Sequence, residues 1–256
     1  HLYVVHVFYG LGNAFQWPAY SAAISTMVPK DNYSRANGMI SLVESGPAML
    51  SPLLAGMLLP LIGLRGILLI DVVTFFLAIG VLLAVHVPQP ERTLEGKAGE
   101  GNILKEAAYG FRYIFQRKGL LGLLLYFLAL NFTIGLAFSI LAPYILSSTG
   151  NDSAALGSVE SAGAIGAVVG GLLVSLWGGF KRRMKTILFA EGFTGLFVLL
   201  FGLGRSLPAW IIIIGIGAIS NPLSNGASQA IWQAKVAPDV QGRVFSARRM
   251  IAWLSG

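Results

Sequence analysis

Apolar residues in this chain run in long blocks separated by short polar turns. Asp, Glu, Lys and Arg are absent from residues 1–29, 45–64, 119–151, 161–180 and 206–234. A helix that crosses a membrane needs about 20 mostly apolar residues. The pattern predicts seven crossings, near 2–28, 37–62, 65–87, 119–147, 154–178, 185–204 and 208–234, with an eighth beginning near 245. Backbone polar groups in lipid must be satisfied within a helix or a closed barrel. These blocks have helix length, so the predicted fold class is an all-α polytopic membrane helical bundle. Both ends lie inside apolar runs, at His1 and Gly256, so the bundle reads as truncated at both ends.

Charge fixes the threading. The turns alternate between basic and nearly uncharged. One set carries 16 of the 18 Lys and Arg residues, and the other only Arg65 and Arg205. Basic loops stay in the cytoplasm, so the first crossing runs inward. The net charge of +7 is therefore a loop asymmetry, and no nucleic-acid partner is expected. With 55% hydrophobic and 11% charged residues, the chain departs far from the roughly 25% charge of soluble domains. It has no Cys and only three His, which excludes thiol chemistry and the usual zinc patterns. No metal, no cofactor and no enzymatic activity are expected.

The one long polar segment, 88–118, divides residues 1–87 from residues 119–256. It opens with Pro88-Gln89-Pro90, and then Ile103, Leu104, Ala107, Ala108, Phe111, Ile114 and Phe115 recur at a helical period. Lys105, Glu106, Tyr109, Arg112, Tyr113 and Gln116 fill the other face, which predicts a helix lying on the cytoplasmic membrane surface as a lead-in to the fourth crossing. A weak repeat flanks this linker. Pro29-Lys30-Asp31 precedes Arg35, and Pro238-Asp239 precedes Arg243, each after an apolar helix. Two related halves are a transporter design.

Polar residues inside the crossings are the candidates for chemistry. Glu44, Asp71, Glu160 and Glu191 lie in predicted spans. A charge at the bilayer centre costs at least ~2.5–3.5 kcal/mol, so these acids should face the bundle interior or water. A proton relay or a cation site is the functional reading, and an interhelix hydrogen bond the plainer one. Asn225, Gln229 and Gln233 recur every four residues; Asn13 and Gln16 are three apart, and Asn131 sits deep in the fourth span. These stripes suit a polar cavity or helix–helix hydrogen bonding. Gly163, Gly166, Gly170 and Gly171 form a small-residue face suited to close packing.

Five stretches carry a family resemblance: Trp17-Pro18-Ala19 leading to Val28-Pro29; Ser51-Pro52-Leu53-Leu54-Ala55-Gly56; Ile70-Asp71 with Thr74-Phe75; Gly170-Gly171-Leu172-Leu173 with Lys181-Arg182-Arg183; and Gly242-Arg243-Val244-Phe245. In this order the chain resembles the major facilitator superfamily, in particular the drug:proton antiporter branch with macrolide-efflux and siderophore-export transporters. It corresponds to helices four to eleven of twelve. Pro47 stands where the antiporter motif has Gly, and Ser175 where the gating motif has Asp.

The resemblance implies a secondary active transporter in the bacterial inner (plasma) membrane. It would export an amphiphilic small molecule by alternating access, coupled to protons. Glu160 and then Glu44 would carry the proton. Asn13, Gln16, Asn131, Asn225 and Gln229 would line the substrate cavity. Pro52, Gly56, Gly171, Lys181, Arg182 and Arg183 would serve helix bending and gating. Asp71 and Glu191 would sit on scaffold helices. The alternative is a transporter-like protein that senses a ligand or scaffolds a partner without transport.

Overall fold

The computed structural model describes residues 2–86, 88, 90, 93–98 and 101–253. Ten α-helices hold the described residues, in which no strand occurs: α1 Leu2–Met27, α2 Tyr33–Ala84, α3 Leu94–Ala98, α4 Ile103–Gln116, α5 Lys118–Ser148, α6 Ser153–Trp177, α7 Arg183–Leu203, α8 Leu207–Ala218, α9 Ser220–Lys235 and α10 Gln241–Trp253. Five stretches among them are long and apolar enough to cross a membrane, and they match the third to seventh predicted crossings. Their exposed leucines, valines and phenylalanines form the surface that contacts the bilayer.

Helix ends follow local chemistry. The Asp152 carboxylate accepts from the Ala154 and Ala155 N–H groups and caps α6, and Asn102 accepts from Lys105 N–H to cap α4. Gly178, at φ 79°, closes α6 in a left-handed turn. The second and third predicted crossings share α2, whose course breaks at Gly63 (φ 65°, ψ 177°), where the sequence puts its turn. The seventh crossing divides into α8 and α9 at Ile219. There the N–H reaches back only three residues, to the Ile216 carbonyl at 3.2 Å.

The glycine face of α6 packs directly on α8. A Cβ on Gly166 would lie 3.0 Å from the Gly215 carbonyl carbon, and one on Gly170 would lie 2.9 Å from that of Ile219. Only hydrogen at these positions lets the two backbones approach so closely. On another side of α6, a Cβ on Gly38 of α2 would lie 2.8 Å from the Ser175 nitrogen.

The largest core sits at the end of the bundle where the basic turns gather. It joins Tyr113, Ile114, Leu120, Leu123, Ile187 and Trp232 to Val236, Val240, Val244 and Phe245. A smaller cluster, Ile145, Ala155, Val159 and Trp210, closes the opposite end of α5, α6 and α8.

The linker helix α4 is docked on α10 and α5. Tyr113 and Ile114 are buried in the core, while Ala107, Ala108 and Phe115 face outward. The reason is specific pairing on the face that reads as polar. Glu106 meets Arg243 at 3.2 Å, the Tyr113 hydroxyl donates to Glu95 at 3.0 Å, and Arg117 pairs with Glu95 at 2.6 Å. Gly110 lets α10 come close, since a Cβ there would meet that of Ala247 at 3.0 Å. Apolar periodicity alone does not reveal this, because aromatic rings and paired charges bury as well as aliphatic groups do.

Candidate functional site

A cavity of about 870 Å³ lies among α5, α6, α7, α8 and α9. Most of its wall is apolar, with Phe127, Ile134, Phe138, Leu141, Phe197 and Phe201 contributing. Its few polar side chains are Asn131 and Tyr144 of α5, Glu160 of α6, Glu191 and Thr194 of α7, and Ser220, Asn221, Ser224 and Asn225 of α9. Ser224 donates a short hydrogen bond to Glu191 Oε1. Thr194 and Ser220 hydroxyls lie 2.7 Å apart, and Asn225 Nδ2 donates to Asn221 Oδ1 at 2.8 Å. Glu160 has no hydrogen-bond partner among the described residues, so its carboxylate is available in the cavity. An apolar chamber with a few fixed polar groups suits an amphiphilic guest.

The structure therefore brings together four of the residues singled out from the sequence, Glu160, Glu191, Asn131 and Asn225, although the resemblance had placed Glu191 on a scaffold helix. The signal for Glu191 was present: Glu191, Thr194, Val198 and Phe201 recur at helical spacing along one face of α7, and all four line the cavity. Glu44 and Gln16 are exposed and lie outside this cavity. Asp71 is exposed on the far part of α2, without a carboxylate partner among the described residues. The side chains of Asn13 and Pro52, and the surroundings of Gly56, lie outside the described residues.

The α9 stripe divides between two environments. Asn225 opens on the cavity. Gln229, one turn on, is buried and accepts from Arg248 at 2.6 Å, with the Arg248 guanidinium 4.9 Å from the Trp232 ring centre. Gln233 is fully buried in a network at the basic end. It accepts from Asn37 Nδ2 at 2.8 Å and donates to the Ser21 carbonyl at 3.2 Å. Gln241 Nε2 donates to the Gln233 carbonyl at 3.0 Å, and Ser25 donates to Gln241 Oε1 at 2.5 Å. Tyr33 donates to the Ser25 carbonyl at 2.9 Å. This network ties α1 and α2 to α9 and α10.

The remaining candidates gather at the same end. Gly171 packs on α2, where an added Cβ would meet Leu42 Cδ2 at 2.9 Å. Arg183 donates to the Ala230 carbonyl at 2.8 Å and the Lys30 carbonyl at 2.5 Å. Lys181 and Arg182 are exposed beside it. Among the described residues, no group of three His, Asp or Glu side chains is placed to hold a metal ion.

Comparison with known proteins follows this geometry. The profile of the Major Facilitator Superfamily matches residues 1–256. Macrolide efflux protein A of Enterococcus faecalis is 28% identical over 239 residues, covering 92% of this chain and 73% of that protein. Macrolide efflux protein A of Streptococcus pyogenes is also 28% identical over 239 residues, and there the chain covers 58% of the relative. No solved structure matches.

Proposed function

Because the chain belongs to the Major Facilitator Superfamily, a family of membrane transporters, we propose that it forms part of a proton-coupled exporter of an amphiphilic small molecule. A drug, a macrolide or a siderophore-like compound fits this description. The relatives are named for macrolide efflux, which favours the outward direction and a bacterial plasma membrane.

The observation that carries the reading is the acid-bearing apolar cavity. Its aromatic and aliphatic wall takes the apolar body of the guest, while Asn131 and Asn225 orient its polar groups. Glu160 and Glu191 face the same space, so a proton and a guest compete there. A neutral carboxyl tolerates an apolar surrounding and an ionised one does not. Proton uptake thus favours release of a guest that paired with the carboxylate. Glu44 of α2 is the second proton site in this scheme.

Residues 1–87 and 119–256 act as the two moving parts, with Pro52 and Gly56 letting α2 bend. The hydrogen bonds Ser25–Gln241 and Asn37–Gln233 close the basic, cytoplasmic end. Alternating access then needs this network to open when the far side closes.

The test is proton-driven efflux from vesicles containing the natural-length protein. Glu160→Gln should abolish coupling, and Glu191→Gln should weaken it by tenfold or more. Undiminished coupled efflux in both variants and in Glu44→Gln would overturn the proton assignment.

A further inference from the structure

Four separate stretches of sequence place cations around one recess at the basic end. The recess has a volume of about 1200 Å³ and is lined by Arg35 of α2, Lys118 of α5, Lys181 and Arg182 of the α6–α7 turn, Arg183 of α7 and Lys235 of α9. Among the described residues, Asp31 is the only carboxylate that lines it. Arg183 is already engaged by the Ala230 and Lys30 carbonyls. The other five side chains are exposed and make no hydrogen bond or ion pair with any described residue. An anion placed in the recess would meet several of these exposed cations at once.

The floor of the recess is built differently. Gly178 and Gly179 both take positive φ, 79° and 82°, and the Arg35 side chain lies over Gly178. Below this turn the wall becomes apolar, with Leu123 and Tyr126 of α5 facing Met184 and Leu188 of α7. Gly119 and Gly122 also line it, and a Cβ added to either would meet nothing within 4 Å. They leave a groove open along α5. Trp177 and Phe180 lie edge to face at 4.8 Å on its rim, where aromatic residues favour the membrane interface.

A cationic rim above an apolar groove matches one chemistry. We propose that this recess binds an anionic phospholipid of the cytoplasmic leaflet. Its phosphodiester lies among Lys181, Arg182, Lys235 and Arg35, and an acyl chain lies along Gly122, Leu123 and Leu188. A soluble phosphate compound would use the rim but leave the groove empty. A zwitterionic lipid would use the groove but carries its own cation against the rim. Basic pockets between helices on the cytoplasmic side recognise anionic headgroups in this way. The site involves none of the cavity acids, so its lipid affinity can be tested separately from proton coupling.

The test is native mass spectrometry of the natural-length protein, purified and stripped of lipid. Phosphatidylglycerol, phosphatidylcholine and glycerol 3-phosphate are added in parallel. Phosphatidylglycerol should bind at least tenfold more tightly than phosphatidylcholine, and glycerol 3-phosphate should not be retained. The combined variant Lys181→Gln, Arg182→Gln, Lys235→Gln should lose about 100-fold in phosphatidylglycerol affinity, from three headgroup contacts. Gly122→Phe fills the groove without changing charge, and it should weaken the lipid as well. If the triple variant fails to fold, Lys181→Gln and Lys235→Gln singly should each lose about fivefold. Equal binding of the two lipids, unchanged affinity in the charge variants, or retention of glycerol 3-phosphate as strong as that of lipid would overturn the assignment.

Discussion

Asn37 donates from Nδ2 to Gln233 Oε1 at 2.8 Å, joining α2 to α9 across 196 residues of sequence, and both side chains are buried. Removing one partner leaves the other amide buried without its bond, at a cost of about 1–3 kcal/mol. Asn37→Ala and Gln233→Ala should each lower the thermal midpoint. The double variant should lose less than the sum, because the second change removes a group already orphaned. The chain has no native Cys, so a single cysteine introduced at Ser21 gives a background-free readout of opening at the basic end. Its labelling should quicken in either single variant. Additive losses with unchanged labelling would show that the pair is not coupled.

Arg183 bridges two carbonyls, those of Ala230 and Lys30, from one guanidinium. Arg183→Lys keeps the charge but not the forked donors. It should cost about 1–3 kcal/mol of stability, nearly as much as Arg183→Gln. Full recovery in the lysine variant would mean that charge alone holds α7 to the turn before α2.

The α6–α8 contact depends on missing side chains. Gly170→Val would drive a Cβ into the Ile219 carbonyl, and overpacking of this kind costs about 1–3 kcal/mol or more. Gly157 lies on the same helix with nothing within 4 Å of an added Cβ, so Gly157→Ala should be neutral or slightly stabilising. Thermal unfolding in detergent measures both. Equal losses would point to helix flexibility instead of close approach as the reason for glycine.

Tyr113 sets a pH limit on the linker. Burial, and its hydrogen bond to Glu95, push its phenol up to about 12 from the usual 10. The folded state thus holds this proton more tightly than the unfolded chain does. Its contribution is complete below pH 10 and is lost as pH rises through 10 to about 12. Ultraviolet titration should show a late-ionising phase near pH 12, and Tyr113→Phe should shrink that phase by one phenol. A variant with an unchanged late step would place the slow phenol elsewhere.

Much of the fold was legible because lipid imposes a simple rule. Length and apolarity mark a crossing, and the predicted breaks between 62 and 65 and between 147 and 154 fall where Gly63 and Asp152 shape the chain. The faint repeat at Pro29 and Pro238 also has a structural counterpart. In each case an extended residue leads into a single 3₁₀ turn, Lys30–Asn32 or Pro238–Val240, and then directly into the next helix. Glu160, Asn131 and Asn225 were legible as polar residues in apolar spans. What they share a cavity with was not.

The sequence by itself determined that the chain is threaded through a membrane as helices, which ends of them carry the cations, and which few polar groups lie between. Each of these follows from hydration cost, residue by residue. Only the tertiary structure decided that Glu191 joins Glu160, that Gln229 and Gln233 leave the cavity for Arg248 and Asn37, and that α4 buries Tyr113 together with Ile114. A helix turns 100° per residue, so a four-residue stripe drifts by 40° at each step and passes from one neighbour to the next. Which neighbour it meets depends on partners far away in the chain, and no local pattern encodes them.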